Sequence, residues 1–190
     1  QYMTIPLDRP EGGTSFDDET YTYSPNDITP ADVDGDGEYE LILKWEPSNS
    51  FDSGKDARHN GNVYIDCYKM NGTKLWRIDM GMNINAGAHF TQMAAYDFDL
   101  DGKAELALKT APGTKDGKNN YVSEASSIEE IKNTDNSADY RHDKNGGDTG
   151  GRVLSGDEYY TVFQGDTGEA LDTIYYPHSR GTITEWGDTW

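Results

Sequence analysis

Apolar and polar residues alternate in short runs along this chain, with the period of a strand and not of a helix. Leu41, Leu43 and Trp45 fall on one face of a run over 40–45. Turn residues close that run, and the same pattern recurs toward the C-terminus. Eight strands are predicted in two groups of four. The first group is 28–33, 40–45, 63–69 and 74–80; the second is 90–97, 105–110, 158–164 and 169–175. Asn71-Gly72 suits a tight type I′ hairpin, which needs positive φ angles, and Thr167-Gly168 takes the same place in the second group.

The two groups are copies of one unit. Residues 32–44 (DVDGDGEYELILK) align with 97–109 (DFDLDGKAELALK), an offset of 65 with eight of 13 positions identical. Residues 63–80 resemble 159–176 at an offset of 96, so the second unit carries 31 extra residues within 111–157. Four antiparallel strands, repeated, build a β-propeller blade. The expected fold class is therefore all-β, with two tandem propeller blades over 26–190. A sandwich would use the same strands without the repeat. Residues 1–25 are read as a leading strand at 2–7 and an acidic linker through Asp17-Asp18-Glu19. The stretch 115–151 reads as loop, except that Ser127-Ile128-Glu129-Glu130 has the spacing of a capping box opening a short helix through Lys132. A loop that long inside a compact domain is usually functional or mobile.

Composition narrows the function classes. The formal net charge of −19 sets the chain against nucleic acid and anionic membrane surfaces, both of which would repel it. Aromatic residues at 12% are too many for a chain that stays unfolded. The 34% apolar content becomes about 38% when 13 Tyr are left out and 21 Gly counted, below the roughly 45–50% of globular domains. The core is thin, and something else should hold the fold. The single cysteine, Cys67, permits no intrachain disulfide and is expected to be a buried, inert thiol. No run approaches the roughly 18 apolar residues of a membrane span. Starting at Gln1 without a signal h-region, the chain reads as a mature or trimmed product.

The repeated acidic segment suggests what supplements the core. Asp32, Asp34, Asp36 and Glu40 place side-chain oxygens at positions 1, 3, 5 and 9, and the Glu38 carbonyl can fill position 7. Asp97, Asp99, Asp101, the Lys103 carbonyl and Glu105 repeat the pattern. Calcium suits such cages because it accepts 6–8 oxygens in flexible geometry. Without an ion the carboxylates repel, so ion binding would supply folding energy. An EF-hand needs a bidentate Glu at position 12 and flanking helices; Leu43 and Leu108 stand there, and both loops run into strands. The ions are read as structural. In an up-and-down blade these loops lie at one end, and the loops 47–62, 111–157 and 81–89 gather at the other, where ligand sites usually form.

Longer strings add a resemblance. DVDGDGEYELILKWEPSN (32–49), LWRIDMGMNINAGAHFTQ (75–92), GRVLSGDEYYTVFQ (151–164) and Trp186-Gly187-Asp188 are similar to the polysaccharide lyase family 11 rhamnogalacturonan lyases over nearly the whole chain. The resemblance implies the opening blades of a calcium-rich, eight-bladed propeller in a secreted, extracellular enzyme. Its substrate would be the pectin backbone rhamnogalacturonan I, and the remaining blades would lie in the same or a second chain. Glu46, where the family often has Asp, and the long segment after Gly113 are departures. Such a lyase removes the C5 proton of a galacturonate while rhamnose leaves from O4, which requires neutralisation of the uronate carboxylate and a positioned base. No catalytic residue is assigned; the resemblance implies the basic ones on later blades. Asn26 and Glu46, flanking the first two strands, match cleft positions of the family, with a turn cap and a solvated acid as the alternatives. His89 is a third substrate-side candidate, with a scaffold histidine as its alternative. His59, His142 and His178 are expected to be exposed, and Trp45 and Trp76 to pack in the core. The rival class is a non-enzymatic, calcium-stabilised propeller used for binding. Two blades alone should leave both outer faces uncovered.

Overall fold

The computed structural model describes residues 2–51, 59–142 and 150–178. It is all-β, with three antiparallel sheets and almost no helix. A small ribbon pairs β1 (Gly13–Thr14) with β2 (Thr20–Tyr21). The first large sheet is a meander of β3 (Tyr23–Ala31), β4 (Glu40–Pro47), β5 (Tyr64–Tyr68) and β6 (Lys74–Asp79). The second repeats it with β7 (Met93–Tyr96), β8 (Glu105–Thr110), β9 (Tyr159–Phe163) and β10 (Ala170–Tyr175). All eight predicted strands form, so the internal repeat is a structural repeat.

Side-chain alternation places the two sheets against each other. Ile42 on β4, Ile65 and Cys67 on β5, and Trp76 and Ile78 on β6 share one face. They bury a common core with Leu106, Leu108 and Phe163 of the second sheet. Trp76 crosses this interface, its indole N–H donating to the Gly165 carbonyl at 2.7 Å. Cys67 is fully buried here, and burial pushes its thiol pKa up, which keeps it inert. The opposite face of the first sheet carries Leu43, Trp45 and Tyr68, in a cluster with Tyr23.

Several expectations change. Residues 2–7 form no strand. Instead the leading segment lies across the Leu43–Trp45 face: the Asp8 amide donates to the Tyr68 hydroxyl at 3.1 Å, Arg77 donates to the Asp8 carbonyl, and Lys74 pairs with the Asp8 carboxylate. One outer face is therefore covered, not left bare as expected. β3 begins at Tyr23, inside the stretch read as linker, because an edge strand tolerates Pro25 and Pro30 without losing ladder bonds. The Asn71-Gly72 turn is not type I′. Only Gly72 is left-handed (φ 88), and the bonds from the Gly72 amide to the Lys69 carbonyl and from the Lys69 amide to the Thr73 carbonyl make a longer loop closed by a glycine bulge. The Gly168 turn is longer again, with a bond from its amide to the Gln164 carbonyl.

The 111–157 insertion, where described, is tied down. Asp79 and Lys115 exchange backbone bonds at the free edge of β6, and a 3-10 turn (Val122–Ala125) precedes helix α1 (Glu129–Lys132). The helix starts one residue later than the capping box placed it. Ile128 is the N-cap without a side-chain bond, and Ser126 in place of Ser127 donates to the Thr173 carbonyl and accepts from the Ile128 amide.

Candidate functional site

The loops sort to the two ends as the meander requires. At one end, the Ala104 amide donates to the Asp32 carbonyl at 2.8 Å, so the two acidic loops lie side by side. At the other, the three long connections interlock. Phe51 bonds to Ala86, Asn60 and Ala86 exchange bonds, Asn83 holds Pro112 and Ala138, and Asn85 holds Gly151 and Val153.

Glu46 and the backbone on both sides of His89 come together at this second end around a residue that sequence reasoning passed over, and Asn26 stands next to Asp27, which faces the same group. Lys44 is fully buried, and its ammonium donates to the carbonyls of Gly87 (3.4 Å), Ala88 (3.3 Å) and Phe90 (3.0 Å). It also faces Asp27 at 3.0 Å and Glu46 at 3.6 Å. Lys44 thus clamps both sides of His89 and balances the carboxylate of Glu46. Asn26 and His89 are exposed, the former in the bulge between Pro25 and Ile28. Glu46 is 6% exposed, and its Oε2 is buried without a hydrogen-bond partner, which is unlike a solvated acid. An amide, an imidazole and a carboxylate beside a fixed cation can bind sugar hydroxyls. The signal for Lys44 was present, since Lys44 and Lys109 are the identical last residues of the aligned repeat. His59 is a correction. It is 4% exposed, not open, because Asp17 reaches across from the acidic segment to its amide (2.6 Å) and its Nδ1 (3.1 Å). His142 and His178 are exposed, and Trp45 and Trp76 are core residues.

In each acidic loop three carboxylates, Asp32, Asp34 and Asp36 or Asp97, Asp99 and Asp101, bring oxygens within 4.8 Å of one another. Backbone amides hold them: Asp32 accepts from Gly35 and Gly37, and Asp97 from Asp101 and Gly102. Glu40 and Glu105 stand outside these triads in the same way, each buried and accepting the amide of loop position 2 (Val33 at 3.0 Å, Phe98 at 2.8 Å). Burial, then the nearby Asp34 and Asp36, push the Glu40 carboxyl up against the opposing bond from Val33. Leu100 takes the left-handed conformation (φ 66) that Gly35 supplies in the first loop (φ 76). Asp34 Oδ1 is buried and unpartnered. An all-oxygen donor set on a tight turn fits a hard cation such as calcium. The loops also differ in the cation beside them. Lys69 reaches Asp34, Asp36 (3.3 Å) and Glu40 (3.8 Å), whereas the second loop has Gly165 at that place and Lys103 pairs with Asp166 at 2.9 Å.

The chain is thus an all-β repeat with acidic loops at one end and a polar cluster at the other. The family model described as rhamnogalacturonan lyase family 11, C-terminal domain, matches residues 2–190, and the chain belongs to that family. The rhamnogalacturonan endolyase YesW of Bacillus subtilis (strain 168) is 53% identical over 189 residues, all of this chain. The exolyase YesX of the same organism is 52% identical over 98% of it. The chain spans 28% of the length of each. The Bacillus licheniformis rhamnogalacturonan lyase PL11 structure superposes with a TM-score of 0.85 over 99% of this chain and 29% of that one, at 52% identity. The YesW crystal structure gives 0.83. Trp186-Gly187-Asp188 lies outside the described residues.

Proposed function

We propose that this chain is part of a rhamnogalacturonan lyase that cleaves the rhamnose–galacturonate backbone of rhamnogalacturonan I by β-elimination. The observation that carries the reading is 52–53% identity to an endolyase and an exolyase across essentially the whole chain. The polar cluster around Lys44 supports it as a place for sugar hydroxyls. Asn26, Glu46 and His89 would position the polymer; none is assigned the proton abstraction from C5, which falls to residues outside this chain. The two meander sheets are read as opening blades of a propeller, each with a structural calcium. The oxygens of Asp32, Asp34 and Asp36, and of Asp97, Asp99 and Asp101, would hold the ions, with the carbonyls of Glu38 and Lys103 and the acids Glu40 and Glu105 completing the shells. Bound calcium would supply positive charge that offsets carboxylate repulsion. A polymeric substrate is met outside the membrane, so secretion belongs to the same proposal. Among the described residues no helix is long and apolar enough to cross a membrane. The test is to incubate the complete polypeptide with rhamnogalacturonan I and calcium and follow ultraviolet absorbance of the 4,5-unsaturated uronate. Absorbance should rise; a flat trace would overturn the enzyme reading.

A further inference from the structure

The repeat makes Lys44 a template for Lys109. Both lysines occupy the second-to-last hydrogen-bonded place of the second strand of their sheet, paired with Ile65 and Tyr160 respectively. Strand alternation puts Lys44 with Ile42 on the face turned toward the next sheet. It puts Lys109 with Ala107 on the face turned away from the first sheet, since Leu106 and Leu108 point back into the shared core. The two lysines therefore have equivalent roles to fill, but different surroundings. Lys44 is sealed by three carbonyls of the loop that enters the following unit and by Asp27 and Glu46. Lys109 has a side chain 43% exposed, paired with Glu158 and lying 5.4 Å from the centre of the Tyr176 ring. At the offset of 65, Gln92 and Ala111 stand where Asp27 and Glu46 stand in the first unit. These two shorter or neutral residues line, with Lys109, a cavity of about 350 Å³. Beyond it the same face exposes Tyr96 (65%), Phe98 (50%) and Ile174 (41%). The corresponding face of the first sheet, by contrast, is buried under the second.

The geometry points to Lys109 as the anchor for a third repeat unit, whose incoming loop fills this cavity and gives backbone carbonyls to the ammonium. The occupant is fixed by the interface already present. Each unit of a repeat fold contacts its neighbour through the same surfaces, and here the loop Gly87–Phe90 is what a neighbour places on the equivalent lysine. A backbone ligand explains why the two acids can be absent, because carbonyl dipoles solvate an ammonium without a matching carboxylate. Among the described residues, Glu158 is the carboxylate paired with Lys109. This rests on the propeller reading above and deepens it by naming the residue on which successive units lock.

Pulsed amine acetylation of the complete polypeptide, read by mass spectrometry with hydroxyl-radical footprinting in parallel, tests it. Lys109 should acetylate at the slow rate of Lys44, roughly tenfold below exposed Lys132, with Ile174 and Tyr96 protected from radicals. Lys109 as reactive as Lys132 while Ile174 and Tyr96 stay protected would overturn the anchor and leave the propeller standing. Free oxidation of Ile174 and Tyr96 would overturn both. A Glu158→Gln variant separates the incoming loop from the local ion pair. Protection of Lys109 should persist in it, and its loss would show that Glu158 alone shields the amine.

Discussion

Asp66 shows how much a single buried charge can organise when every oxygen is used. It is fully buried and accepts from the Trp45 indole (2.8 Å), the Tyr68 hydroxyl (2.6 Å), and Arg77 Nε (2.7 Å) and Nη2 (2.6 Å). Removing one partner of a buried pair leaves the other uncompensated, at a cost of about 3–5 kcal/mol. Asp66→Ala should therefore lower the denaturation midpoint sharply in urea titration, and the equivalent position in the second unit, Val162, has no such charge to lose. Lys69 acts at the same scale on the first acidic loop. Its ammonium would compete with a bound cation for Asp34 and Asp36, which should make the first loop the weaker of the two sites. Calorimetric titration with calcium should show two unequal sites, and Lys69→Met should tighten the weaker one. An unchanged isotherm would remove Lys69 from the account.

The leading segment is an element without secondary structure of its own, and its seat on the first sheet is electrostatic as much as apolar. The Asp8 carboxyl is held below its ordinary value of 3.8, first by the bond and charge of Lys74 and then by Arg77. A carboxyl depressed in the folded state stabilises it fully above the unfolded value, and that contribution disappears as pH falls through the folded one. Near-ultraviolet circular dichroism of the Tyr21, Tyr23 and Trp45 cluster should show a step below about pH 4, and Asp8→Asn should abolish the step while the sheets persist. The Gly72 turn belongs to the same element pair. A Cβ there would meet Pro6 at 2.5 Å in a left-handed backbone (φ +88), so Gly72→Ala should strain the turn and lift the segment together.

For the whole molecule, the two repeats share one apolar core, and the proposed calcium loops lie together at one end of both. Chelation should lower the thermal midpoint markedly, and Asp34→Ala or Asp99→Ala should each reproduce part of the loss without changing substrate preference. An unmoved midpoint would show that calcium does not hold this fold. A fall on chelation would fit the lower apolar content, since fewer buried side chains leave more of the stability to ions and buried polar bonds.

Strand positions, the repeat and the acidic cages were legible in the sequence because each depends on local spacing. Period-2 alternation fixes which residues share a face, and β8 forms over the range the alternation predicts. Family membership was legible too, through strings that no generic repeat carries. What the tertiary structure decided are the long-range partners. Asp17 buries His59 from 42 residues away, Asp8 meets Tyr68 from 60, and Lys44 meets the Phe90 carbonyl from 46. Alternation says that Lys44 lies on the face of Ile42 but not which backbone will approach it. The covering of the Leu43–Trp45 face is of the same kind. A segment with no periodic pattern gives no local sign of where it will lie, and only packing against a preformed sheet selects its place.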